Sequence, residues 1–358
     1  MRRLLLASLV ALSILAVAAP AASASRFFGV VSQGPLTRSD FERMRGTVGT
    51  VRVPFYWFQL EPERGRYDFA ATDELVGMAA AAGVRVLPFV WGTPSWLAEG
   101  PARPPLESAA ARRAWAGLLR ALVRRYGARG EFWDGRRAVR PIRRWQVWNE
   151  PNYRLFWAPE ASPLGYARLL GIAATAIRGE DPGARIVLAG VAPIAHSPPP
   201  WIFLRQLLRI PSVGRDFDVA AVHPYASSLL SLAGQVEEVR AAMAAAGYGD
   251  RPLEVTEFGL ASGPVGVSSL VKSRAGQAAF LRRAYGLLGD NRRRWRLAGA
   301  DWFSWRDGAA DPRCVFCQGS GLFDARDRPK PAWRVFARLA RTQLSPPPLL
   351  NRARWGDG

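Results

Sequence analysis

The sequence predicts an α/β fold, a single-domain (β/α)8 barrel, on three observations. From residue 26 onward, short β-rich runs alternate with Ala-, Leu- and Arg-rich helical runs, repeatedly and in the same order, through eight units. Several of the strand-like runs are continuously apolar, as parallel strands covered on both faces are. Finally, no composition shift or long polar linker divides the 358 residues, and 49% apolar content is ample for one large core.

Taken in order, strands are expected at 27–31, 50–54, 85–90, 144–149, 185–189, 217–222, 253–256 and 300–304. Helical periodicity places helices at 39–45, 70–82, 107–126, 163–178, 201–209, 232–246 and 268–288, with 332–341 closing the series. Residues 25–343 are thus the barrel domain, and 344–358 a Pro-rich C-terminal tail. Before the first strand, Arg2 and Arg3 start an apolar run that ends in the small-residue site Ala22-Ser23-Ala24. This has the form of a secretory signal spanning 1–24, cleaved after Ala24, and it implies an extracellular protein without stable membrane insertion.

The formal charge of +20 is strongly basic, and removing residues 1–24 takes away only Arg2 and Arg3. Such a field attracts anionic polymers. The charge is almost all Arg, since Lys occurs only at Lys272 and Lys330, and it is spread along helix-like segments (Arg112, Arg113, Arg120, Arg124, Arg125). That spread suits a solvated outer face, and no basic stretch carries a nucleic-acid-binding motif, so specific nucleic-acid binding is not expected. Cys314 and Cys317, the only cysteines, have no second pair or nearby His to complete a zinc site. In an exported chain they are expected to form a disulfide, and neither metal nor cofactor is expected.

The chemistry collects at two strand ends. Residues 143–148 alternate as a packed strand does, and Pro151 stops the pattern just after Asn149 and Glu150. Glu257 ends the seventh strand run in the same way. In a barrel both fall on the rim where catalytic groups gather. Two carboxyl groups facing each other are what glycosidic cleavage needs, one to protonate the leaving oxygen and one to meet positive charge at the anomeric carbon.

These segments resemble the largest clan of retaining glycoside hydrolases, which includes the cellulase-like family 5 and the xylosidase-like family 39. The resemblance covers most of the chain after residue 25. It implies that Glu150 is the acid/base, Glu257 the nucleophile and Asn149 a donor to the sugar 2-hydroxyl. Val51-Arg52-Val53, with Glu61-Pro62-Glu63-Arg64-Gly65, looks like the second unit of these enzymes, in which the Arg holds the nucleophile. A guanidinium there would keep Glu257 ionised, while Glu150, without one, could stay protonated. His223 and Tyr225, two apart on an extended segment, point to one side and match the clan's sixth-strand pair, with Tyr225 placed to bond Glu257.

Trp305 is expected to be the aromatic floor for the cleaved sugar, and Trp91 and Trp96 are further stacking candidates. The chain departs from many family 5 members in having Trp91 where they carry a His after strand three, and residues 92–96 lean toward family 39. The resemblance implies a secreted retaining β-glycosidase acting on β-linked carbohydrate. A non-catalytic barrel that binds carbohydrate or anionic cell-wall polymer is the alternative, and it would be expected to have lost one of Glu150, Glu257, Asn149 or Arg52; all four are present.

Overall fold

A computed structural model describes residues 24–32, 34–193, 199–263, 268–309 and 314–342. The signal expected at 1–24, apart from Ala24, and the tail expected at 344–358 lie outside the described residues. Eight strands alternate with eight longer helices. The strands are β1 (Phe28–Val31), β2 (Thr50–Tyr56), β3 (Arg85–Trp91), β4 (Arg144–Val147), β5 (Arg185–Val187), β6 (Ala220–Val222), β7 (Leu253–Phe258) and β8 (Leu297–Phe303). The helices are α1 (Arg38–Met44), α2 (Ala70–Ala82), α3 (Ala109–Tyr126), α4 (Pro163–Glu180), α5 (Pro200–Leu208), α6 (Leu229–Ala245), α7 (Arg274–Asp290) and α8 (Pro331–Thr342).

All neighbouring strands pair in parallel, and β1 pairs with both β2 and β8. Between β5 and β6 the ring is joined by the bridges Val187–Val219 and Val191–Val222, with Leu188 N–H donating to Val219 O at 2.9 Å. The expected (β/α)8 barrel is therefore the observed one. The seventh helix starts later than expected, at Arg274, because Val271–Lys272 pairs as a short ribbon with Ala261–Ser262. Ser273 then caps the helix by accepting from Gly276 N–H. Ser108, Ser162 and Ser228 do the same for α3, α4 and α6, and Thr37 with Asp40 forms a capping box on α1.

Two cores result. The layer between strands and helices is apolar, built on side chains such as Trp115, Leu118, Trp145, Tyr166 and Leu281. The barrel interior combines a small apolar cluster, Leu87, Val187, Val219 and Ala221, with polar side chains: Arg52, Gln146, Glu254, Thr256 and Asp301 are all fully buried. Charges there survive by pairing. Arg144 donates to both oxygens of Glu254 at 2.9 and 2.7 Å. Asp301 has no partner for either oxygen among the described residues, and burial, reinforced by the charge of Glu254, pushes its carboxyl well above the usual range. A neutral acid is what such a position tolerates.

Candidate active site

At the carboxyl ends of the strands a cleft of about 670 Å³ is lined by Tyr56, Trp91, Asn149, Glu150, Tyr225, Glu257, Phe303 and Phe316, among others. A concavity of nearly equal size, about 660 Å³, lies over the outer helices. Its only carboxylate is Asp216, so it lacks paired acids, whereas the strand-end cleft has two.

The turn after β4 aims the first acid. Trp148 and Glu150 hold positive φ angles of 73° and 37°, a backbone state that costs non-glycine residues on the order of 1–3 kcal/mol each. Packing maintains it. The Trp148 indole donates to Phe156 O at 2.6 Å, and its ring packs against Trp91, Trp115 and Trp157. The turn leaves Asn149 and Glu150 lining the cleft. The second acid needs no such device, because Glu257 lies within β7 itself.

Glu257 is gripped from two sides. Arg52 donates to its Oε1 at 2.5 Å and the Tyr225 hydroxyl to its Oε2 at 2.6 Å. The guanidinium is fixed in place, since Nε donates to Gln146 Oε1 at 2.6 Å and its other terminal nitrogen to Asn149 Oδ1 at 2.8 Å. With the Asn149 carbonyl occupied, its NH2 group is left to donate toward a ligand. Burial, with the neighbouring Glu257 charge, raises the Tyr225 hydroxyl well above the usual phenol range, so it remains a donor.

Glu150 has a different setting. Its Oε1 lies 2.7 Å from His223 Nδ1, and His223 Nε2 lies 3.0 Å from Thr256 Oγ1. Burial drives the imidazole down to about 3, so the ring is neutral and offers Glu150 a hydrogen bond without a charge. Burial then carries the Glu150 carboxyl up to about 7, with the Arg52 charge pulling in the opposite direction. A carboxyl oxygen of Glu150 lies within 4.8 Å of one of Glu257. The cluster Glu150, His223 and Glu257 has ligand atoms close enough for a metal ion, but the Arg52 guanidinium on Glu257 already supplies a fixed positive charge that would repel one.

Among the residues singled out in the sequence, Glu150, Glu257, Asn149, Tyr225 and Trp91 line the cleft. Arg52 and His223 do not. Both are fully buried behind the acids, so neither is placed to touch substrate, and each acts on a carboxyl group instead. The platform expected of Trp305 is corrected outright. Trp305 is fully buried, donates from its indole to Asp40 Oδ1 at 2.9 Å, and packs on Phe323 and Trp333. Phe303, the last residue of β8, lines the cleft in its place. Trp96 also points elsewhere, donating to Glu61 O at 2.8 Å, while Glu61 itself accepts from the Trp57 indole and Gly65 N–H. The Glu61 motif is thus a loop anchor.

Three features escaped the sequence. Gln146 steadies Arg52; an isolated amide in an apolar strand was its only signal. Tyr56 adds a wall that extends β2 beyond its expected end. The segment Val315–Gly319 brings Phe316 against Tyr225 and Phe303, with ring centroids at 5.0 and 5.7 Å, and a Cys314–Cys317 disulfide closes that segment.

No family model matches the chain, and no curated protein does. Solved structures do. A family 39 glycoside hydrolase from the gut symbiont Bacteroides cellulosilyticus WH2 superposes with a TM-score of 0.70 at 19% identity, covering 91% of this chain and 65% of that one. A family 39 β-xylosidase from Caulobacter crescentus gives 0.63 at 22% identity, over 89% of this chain and 72% of that one. A family 5 glycoside hydrolase from Bifidobacterium longum subsp. longum, in complex with Manβ1-4GlcNAc, gives 0.67 at 18% identity, over 89% and 78%. The chain thus spans just under two thirds of the length of the first of these. At such identities the common property is the fold, and the structural neighbours of this chain are (β/α)8 barrels of glycoside hydrolase families 39 and 5.

Proposed function

We propose that the protein is a retaining β-glycosidase, secreted, that cleaves a β-linked oligo- or polysaccharide by double displacement. One observation carries the reading: two glutamates with carboxyl oxygens within 4.8 Å share a cleft, one gripped by a guanidinium and a phenol, the other buried against a neutral imidazole. Retaining glycosidases hold their carboxyl groups about 5–5.5 Å apart, whereas inverting ones need roughly 6.5–9.5 Å to seat a water. The spacing supports retention.

Glu257 attacks the anomeric carbon as the bond to the leaving oxygen breaks, and that oxygen takes the Glu150 proton. Glu150, now a carboxylate, removes a proton from water, whose oxygen displaces Glu257 from the sugar. A carboxyl poised near neutrality suits both the donor and the acceptor turn. The fold and names of the structural neighbours favour the same class of substrate. Export rests on the N-terminal signal pattern; among the described residues, no helix is long and apolar enough to cross a membrane.

A panel of aryl β-glycosides (glucoside, xyloside, mannoside, galactoside) with soluble polysaccharides tests the activity. The matching 2-deoxy-2-fluoro glycoside should then trap a covalent ester on the peptide holding Thr256-Glu257-Phe258. A first product of inverted anomeric configuration, or a label on another peptide, would overturn the mechanism.

A further inference from the structure

The opposite end of the barrel carries a second, unassigned site. Where the strands begin, a concavity of about 340 Å³ is lined by Arg26, Arg85, Arg140, Arg143 and Arg144, with Val86, Val139 and Pro141. Arg85 and Arg144 are the first residues of β3 and β4, and Arg26 lies just before β1. Parallel pairing therefore brings Arg26 and Arg85, distant in the chain, beside the neighbouring Arg140, Arg143 and Arg144. β3 is seven residues long, so this rim lies roughly 20 Å of strand from the cleft.

Acids do not balance them. Arg143 pairs with Asp181 at 3.2 Å and Arg144 with Glu254 at 2.7 Å, while Arg26, Arg85 and Arg140 form no ion pair among the described residues. Other arginines among the described residues are unpaired as well, but Arg26, Arg85 and Arg140 are gathered around one hollow. Arg85 is brought down to about 10, by burial first and then by the charges of Arg26, Arg140 and Arg144. Crowding like charges around a hollow disfavours the free protein unless an anion is there to share them.

We infer that this concavity is a binding site for a phosphate group. Guanidinium forks present pairs of N–H donors in a plane, and several converging forks match the many acceptor oxygens of a tetrahedral oxyanion better than the two of a carboxylate. The phosphate can be free or borne on a polymer. This proposal is independent of the glycosidase reading, because no residue of the cleft takes part.

The test compares three proteins by thermal denaturation, at constant ionic strength set with sodium chloride. They are the wild type, R26Q/R140Q, and R282Q/R283Q, which removes the same charge from two exposed positions on α7. Orthophosphate or polyphosphate should raise the Tm of the wild type and of R282Q/R283Q saturably, by about 3 °C at excess ligand. R26Q/R140Q should respond at least tenfold more weakly, while its ligand-free Tm stays at or above that of the wild type. Saturation by orthophosphate would assign the site to an isolated phosphate; a response confined to polyphosphate, and lost in R26Q/R140Q, would assign it to phosphates along a polymer. Equal responses in the two double variants, or no response in the wild type, would overturn the proposal.

Discussion

Two glutamates face each other across one cleft in opposite surroundings. On the strand-seven side, Glu257 meets a full guanidinium charge and a phenolic donor. On the strand-four side, Glu150 meets a buried, neutral imidazole. The residue type is the same, so the different roles proposed for them rest on what each carboxyl group touches. A permanent cation favours the carboxylate that a nucleophile must be, and burial without a facing cation favours the proton that an acid must carry. The pair is therefore broken most informatively one side at a time.

The largest effect is expected from Glu257→Ala. If Glu257 is the nucleophile proposed, removing it leaves only binding and polarisation, so kcat should fall by on the order of 10⁵ on every substrate, activated or not. Single-turnover assays of cleavage measure this directly. A loss that shrinks to a few fold on aryl glycosides with good leaving groups would move the nucleophile elsewhere.

Glu150→Ala should be selective where Glu257→Ala is not. Substrates with poor leaving groups should lose roughly 10²–10⁴-fold, and activated aryl glycosides far less in the bond-breaking step, since they need little protonation. The pH profile sharpens the contrast. In the acid role proposed for it Glu150 must be protonated, and burial lifts its carboxyl to about 7, so kcat/KM on poor leaving groups should be retained below that value and fall as pH rises through it. In Glu150→Ala, assayed on an activated glycoside, that basic limb should vanish; its persistence would assign the titration to another group.

Tyr225→Phe asks how much of the grip on Glu257 is the phenol. A hydrogen bond to a charged group contributes about 1.5–3 kcal/mol, which corresponds to roughly 10- to 150-fold in kcat/KM. The loss should reside mainly in kcat, because the bond acts on the nucleophile. A change confined to KM would recast Tyr225 as a substrate contact, which its place on the cleft wall also permits.

How far the site was legible follows from the kind of information each residue needed. Alternation and Pro151 locate the end of β4, and the run 253–256 just before Glu257 locates β7, so both acids could be placed on one rim from the sequence. Arg52, Asn149 and Tyr225 were legible through motif. What could not be read was depth: Arg52 within β2 and His223 just after β6 are fully buried behind the acids. Nor could the contribution of Val315–Gly319 be read, since a short helical turn after a loop leaves no periodic trace. The Arg-rich composition looked like a solvated surface, and only strand register shows five of these residues lining one hollow.

The smallest expected effect on catalysis separates Trp305 from Phe303. A strand's alternation ends with the strand, and Trp305 lies two residues past Phe303, where turn hydrogen bonds set direction: Trp305 N–H donates to Val31 O, and Ser304 N–H to Ser320 O. The chain there carries the indole away from the cleft onto Asp40, which also caps α1 and accepts from Arg306. Trp305→Phe keeps a ring to pack on Phe323 and Trp333 but leaves Asp40 one donor short. Stability should fall by about 1.5–3 kcal/mol in urea denaturation, while kcat/KM of the folded enzyme stays within twofold. Phe303→Ala should differ in raising KM, by removing an apolar face from the cleft wall, and because the ring is buried against Tyr225 and Phe316 it should lower stability as well. If Trp305→Phe raised KM as much as Phe303→Ala, the indole would have to reach the sugar in solution, and the assignment of the cleft floor to Phe303 would fail.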